Sequence, residues 1–102
     1  MTDISQQRKA LIERVLNGAG TASQSARQAA FENIGFAEPV KTLIQKVATQ
    51  ATAVSDRDVA AVRASGLTED QIFEIVICAA LGQSTRQYDS ACAALDSAIS
   101  KE

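Results

Sequence analysis

Apolar residues recur along this chain at intervals of three and four, the period of a helix with one buried face. The pattern predicts six helical segments. The first runs from about Ser5 to Leu16, with Leu11, Ile12, Val15 and Leu16 on one side and Arg8, Lys9, Glu13 and Arg14 around the rest. Asn17-Gly18-Ala19-Gly20 is a joint, because its glycines adopt backbone conformations that end a helix. A second helix starts near Thr21 or Ser23, carries Ala26, Ala29, Ala30, Phe31 and Ile34, and is expected to end at Gly35. Pro39 suits the first turn of a third, where its missing N–H is no loss. Val40, Leu43, Ile44, Val47, Ala48 and Ala51 then form the cleanest amphipathic stripe of the chain.

Ser55 reads as the N-cap of a short fourth helix, with Asp56 and Asp58 in its first turn and Gly66 beyond its end. Thr68-Glu69-Asp70-Gln71 has the spacing of a capping box and opens a fifth. From Ile72 to Leu81 this segment is apolar nearly all round, which predicts a place at the centre of a bundle or in a subunit interface. The β-branched residues of Ile72 to Cys78 would also suit a strand, but the cap before them and the helices on both sides favour a helix. Gly82 is expected to break the chain. A last helix from about Ser84 to Ser100 then places Tyr88, Ala91, Cys92, Leu95, Ala98 and Ile99 on one seam.

Composition narrows the picture. At 102 residues, 46% apolar and 22% charged, the chain suits one globular domain over residues 1–102. Abundant alanine with only 4% aromatic residues favours closely packed helices, so the fold class is all-α. A net charge of −2 carries no electrostatic footprint for nucleic acid, and no basic cluster exceeds Arg8-Lys9, so an anionic membrane is a poor partner too. The start MTDISQQRK has no apolar run of the secretory type, and a cytoplasmic setting with reduced cysteines is expected. There is no histidine. Ser-His and Cys-His pairs, histidine metal ligands and the side chain that titrates most easily near neutral pH are therefore all missing.

The string from Val54 to Val76 resembles the core of the carboxymuconolactone decarboxylase and alkylhydroperoxidase D-like family. Arg63, Gly66, Leu67, the acidic pair Glu69-Asp70, Ile72, Phe73 and Glu74 carry the likeness. The alanine-rich continuation to Leu81, then Arg86 and an amphipathic last helix, extends it over about residues 40–99. The resemblance implies a compact all-helical bundle that assembles into trimers or hexamers. In the peroxidase branch of that family a Cys-x-x-Cys-x-x-x-His motif opens the helix ending at the Gly-Leu step. Counted back from Gly66, its cysteines fall at Ala51 and Val54 and its histidine at Asp58. No methyl or isopropyl group replaces a thiolate. The decarboxylase branch uses histidine for proton transfer. The resemblance therefore carries over a fold and no catalytic residue.

Four residues remain as weak catalytic candidates: Glu74, Arg86, Tyr88 and Cys78. Glu74 interrupts the most apolar segment. It belongs to a solvated stripe with Asp70 and Gln71, or pairs with Arg63 or Arg86. Cys78 and Cys92 read as core residues, inert in apolar surroundings, or as a redox pair outside any standard motif. Tyr88 reads as core or as a pocket or interface anchor. Asp56 and Asp58 are explained by their first turn, not by a metal, and Gly18-x-Gly20 lacks the preceding strand of a dinucleotide site. No cofactor and no metal are expected. The first functional expectation is a non-catalytic relative acting as an oligomer (trimer, hexamer or dimer), or through a protein partner or small apolar ligand. The alternatives are a peroxidase-type activity on Cys78 or Cys92, or a lyase-like site of Glu74, Arg86 and Tyr88.

Overall fold

One helix sets the length of the molecule and the other four are arranged along it. The computed structural model describes residues 2–100, with side chains from Ile4 to Ser100. The helices are α1 (Thr2–Asn17), α2 (Gln24–Glu32), α3 (Val40–Thr49), α4 (Asp56–Ala64) and α5 (Glu69–Ser100), with a single 3-10 turn at Ala51–Ala53. No strand occurs among the described residues, so the chain is all-helical. At 32 residues α5 is about 48 Å long, close to the 55 Å long axis of a 55 × 29 × 20 Å body. No helix among the described residues is long and apolar enough to cross a membrane.

Local capping rules explain most helix starts. Ser23 caps α2 by accepting from the Ala26 N–H at 3.0 Å. Ser55 and Asp58 form a reciprocal capping box on α4. At α5 the Thr68 hydroxyl accepts from the Gln71 backbone N–H while the Gln71 side-chain oxygen Oε1 accepts from the Thr68 N–H. At α3 the preceding Glu38 takes the free Thr42 N–H at 3.0 Å, and hydrogen bonds to Thr42 hold its carboxyl below the ordinary range. Gly66, at φ +115, turns the chain out of α4.

Several expectations are corrected. The expected fifth and sixth helices are one: Gly82 lies inside α5 and does not break it. A helical glycine costs only about 1 kcal/mol relative to alanine, too little to end a helix held by packing on both sides. The end of α2 is set by Asn33 in the left-handed region, not by Gly35, which follows at φ +87. Beyond that end, Ile34 is exposed. Ala51 falls in the 3-10 turn, off the buried stripe of α3.

The core lies on one side of α5. Ile72, Ile75, Cys78, Ala79 and Gly82 are buried there. One cluster joins Leu43 of α3, Val62 of α4 and Ile72. A second joins Leu16, Ala22, Ala30, Ile44, Ile75, Cys78 and Ala79. Of the two places expected for α5, the centre of a bundle is not met within one chain, because Phe73 and Ile77 are exposed, as are Leu95 and Ile99 of the expected inward seam. Four short helices reach only one side of so long a partner.

Among the glycines, Gly82 leaves the least room for a side chain. A Cβ built there would sit 1.9 Å from the Phe31 carbonyl oxygen at the end of α2. Gly82→Ala is expected to lower stability by about 2 kcal/mol, the cost of overpacking outweighing the gain in helix propensity. Urea unfolding of the two proteins, with exposed Ser90→Ala as a neutral control, measures it.

Candidate functional site

The sequence candidates on α5 are spread along it by the helix rise. Glu74 and Arg86 lie twelve residues apart, about 18 Å along the axis, and each holds one end of α2. The Glu74 carboxylate accepts from the N–H groups of Thr21, at 2.9 and 3.0 Å, and of Ala22, at 3.1 Å, and from the Thr21 hydroxyl. The Arg86 guanidinium donates to the Phe31 carbonyl at 2.7 Å. Helix α2 therefore runs parallel to α5, with a carboxylate at its positive end and a guanidinium at its negative end. Both proposed ion pairs of Glu74 are corrected: Arg63 binds Glu69 at 2.9 Å, and Arg86 serves a carbonyl. Hydrogen bonds from the Thr21 side chain and backbone and from Ala22, with Arg27 nearby, hold the Glu74 carboxyl below the ordinary glutamate range.

Arg27 was not expected to matter and is the buried charged residue among the described residues, 5% exposed. It donates to the carbonyls of Val15 at 3.1 Å and Gly18 at 2.7 Å, closing the end of α1. Gly20 runs between it and Glu74, so close that an added Cβ would strike the Glu74 carboxylate. Nothing local marks Arg27 in the sequence. The signal is indirect: a basic residue one turn into a helix, among alanines that face the core.

The thiols are not brought together. Cys78 is fully buried, and burial pushes its thiol up against the opposing pull of Arg27. Cys92 is half-buried and fourteen residues along the same helix, about 21 Å away, beyond disulfide reach. Tyr88 is half-buried beneath Arg8, whose guanidinium lies 4.4 Å from the ring centroid and also reaches the Thr85 hydroxyl at 3.2 Å. The Cys92 side chain beside its hydroxyl raises the phenol above its ordinary value. Glu74, Arg86 and Tyr88 thus share a helix and no common cavity. Asp58 is engaged by Lys46 at 2.9 Å and by Ser55, which hold its carboxyl low. Among the described residues no three His, Cys, Asp or Glu side chains gather as metal ligands would.

Two surfaces remain open. A groove of about 670 Å3 lies between the start of α2, the Ser65–Leu67 turn and α5, lined by Ala22, Ala26, Phe36, Val40, Leu67 and Ile75 with Gln71 at its polar edge. The other is the outer side of α5. At 100° per residue Phe73, Ile77, Ala80, Ser84, Ala91 and Leu95 fall within about 30° of one line, opposite the buried set. Phe73 and Leu95 are 65% and 60% exposed. At the start of this face a second, strongly apolar groove of about 340 Å3 is lined by Val59, Ile72, Phe73 and Val76 and rimmed by the Arg63–Glu69 pair.

The Glu74 contact predicts a pH signature. A carboxyl whose folded pKa is depressed contributes stability that is fully present above its unfolded value and is lost as pH falls through the folded one. Glu74→Gln is expected to cost about 1 kcal/mol at pH 7. The difference from the native protein should shrink as pH falls below the ordinary glutamate value of about 4.3 and vanish once the folded carboxyl itself protonates. Thermal denaturation of both proteins as pH falls checks it.

Compared with protein-family models, curated proteins and solved structures, the chain matches none.

Proposed function

We propose that the chain is a non-catalytic helical protein that works by assembly, with the outer face of α5 as its working surface. The observation that carries this is a set of large apolar side chains left exposed along one helix, away from its buried side. Phe73, Ile77, Leu95 and Ile99 stand in solvent at 37 to 65% exposure. A single exposed apolar residue needs no explanation, but two such pairs at the two ends of one helix favour an interaction surface. The side chains with chemistry are already engaged in holding the fold, Glu74 and Arg86 by α2 and Arg27 by α1. On this reading the likeness of residues 40–99 to the carboxymuconolactone decarboxylase-like family is one of ancestry and assembly, without its chemistry.

Light scattering of the native protein at tens of micromolar should give a mass above that of one 10.8 kDa chain. Leu95→Glu should return it to one chain with unchanged helical circular dichroism, because an exposed side chain is not part of the core. A well-folded native monomer at that concentration overturns the reading.

A second reading is favoured by the groove beside α2. Its volume lies within the range of small-ligand sites, and its lining is mostly apolar with a few polar groups at one edge. It fits a small apolar ligand with a polar end. Saturable binding of an anilinonaphthalene sulfonate dye is expected, weakened about tenfold by Ala26→Leu, which fills the groove. Equal binding by both proteins removes this reading.

A further inference from the structure

The groove between the start of α2, the Ser65–Leu67 turn and α5 is lined by no charged side chain. Each of its hydroxyls already has a structural task. Thr21 donates to the Glu74 carboxylate, Ser23 accepts from the Ala26 N–H, and Ser65 donates to the Val62 carbonyl at 2.6 Å. Gln71 differs. Its Oε1 accepts from the Thr68 N–H at 2.9 Å, which fixes the orientation of the amide, because only the oxygen can answer that donor. Its Nε2 then reaches the Thr21 carbonyl across 3.4 Å, longer than the about 2.7 to 3.2 Å of an ordinary N–H···O bond. The amide is therefore anchored at its oxygen and loosely held at its nitrogen, which carries two N–H groups. Resting on the groove reading above, we infer that the ligand of this site is an uncharged amphiphile with an acceptor oxygen, a ketone, ester or tertiary amide on an apolar tail, whose oxygen takes an N–H of Gln71.

Charge excludes the other head groups. Glu74 does not line the groove, but its carboxylate bonds the N–H groups of Thr21 and Ala22, which do. It also lies one turn after Gln71 on α5, so a fixed negative charge stands beside the polar edge. A carboxylate head is repelled there and finds no cation on the lining to offset the loss of its water. An ammonium head fares no better, because the Glu74 oxygens are already taken by the Thr21 and Ala22 N–H groups and the Thr21 hydroxyl. An uncharged oxygen gives up little hydration and gains the Gln71 N–H in return. The apolar tail then lies over Ala26, Phe36, Val40 and Leu67.

Three probes test the head group: 2-octanone, octanoate and octylammonium, which share an unbranched chain and differ at its end. Each is titrated into isotope-labelled protein at neutral pH and followed by NMR at the backbone amides of Ala22 and Ala26. The ketone should bind tightest, with both ions at least about tenfold weaker. Gln71→Glu keeps the capping box of α5, because a carboxylate oxygen also answers the Thr68 N–H, but it removes the donor. It should weaken the ketone about fivefold and make octylammonium the tighter of the two. Octanoate or octylammonium binding the native groove as tightly as the ketone overturns this inference. So does a ketone affinity that Gln71→Glu leaves unchanged, or binding of the naphthalene dye without binding of the ketone. Those results leave the groove reading standing, whereas no shift at Ala22 or Ala26 with any probe or with the dye removes both.

Discussion

The seating of α2 on α5 is the contact on which the other helices depend. It requires that a backbone carbonyl, Phe31, lie directly over a residue with no side chain, Gly82. Two opposite charges from the same long helix hold the ends. The Glu74 carboxylate takes the N–H groups entering α2, and the Arg86 guanidinium takes a carbonyl leaving it. Their axial separation of about 18 Å matches the roughly 15 Å length of α2 from cap to cap. Charge sign follows helix direction, because the macrodipole is positive where the carboxylate sits and negative where the guanidinium sits. Once α2 is placed, Ala30 and Ala22 close the core over Ile75, Cys78 and Ala79.

The same arrangement explains why the chemistry-bearing residues do not form a reaction centre. A carboxylate saturated with N–H donors is held ionised and has its lone pairs occupied, which suits a clamp and disfavours a general acid. Arg27 is buried with its donors turned onto the carbonyls at the end of α1. Cys78 sits in an apolar core that raises its pKa and denies the thiolate. Glu74, Arg86 and the Arg27 NH1 group satisfy backbone that the short helices would otherwise leave open at their ends, while the buried Arg27 Nε has no partner. Apolar surface is also left free, at the groove beside α2 and at Phe73, Ile77, Leu95 and Ile99 of α5.

A division of labour between the two faces of α5 follows. The inner face carries small residues, Cys78, Ala79 and Gly82, where helix axes come close. The outer face carries both large and small residues, Phe73, Ile77 and Leu95 with Ala80, Ser84 and Ala91. Both faces are apolar, so hydrophobicity alone does not tell which is core.

Much of the secondary structure was legible in the chain, because caps and turns depend on residues within four positions of one another. The N-cap at Ser55, the box at Thr68 and the turn at Gly66 are of this kind, whereas the pattern leaves the start of α2 between Thr21 and Ser23. Gly82 was misread for a physical reason: a glycine that ends a helix and a glycine that admits another backbone look alike until the second backbone is in place. The roles of Glu74 and Arg86 depend on partners more than fifty residues away, and that of Arg27 on a helix end closed by the loop between. The apolar run of α5 determined that two faces would seek cover. The tertiary structure decided which one received it, because α1 to α4 are enough to bury one side of a helix about 48 Å long and too few to bury both.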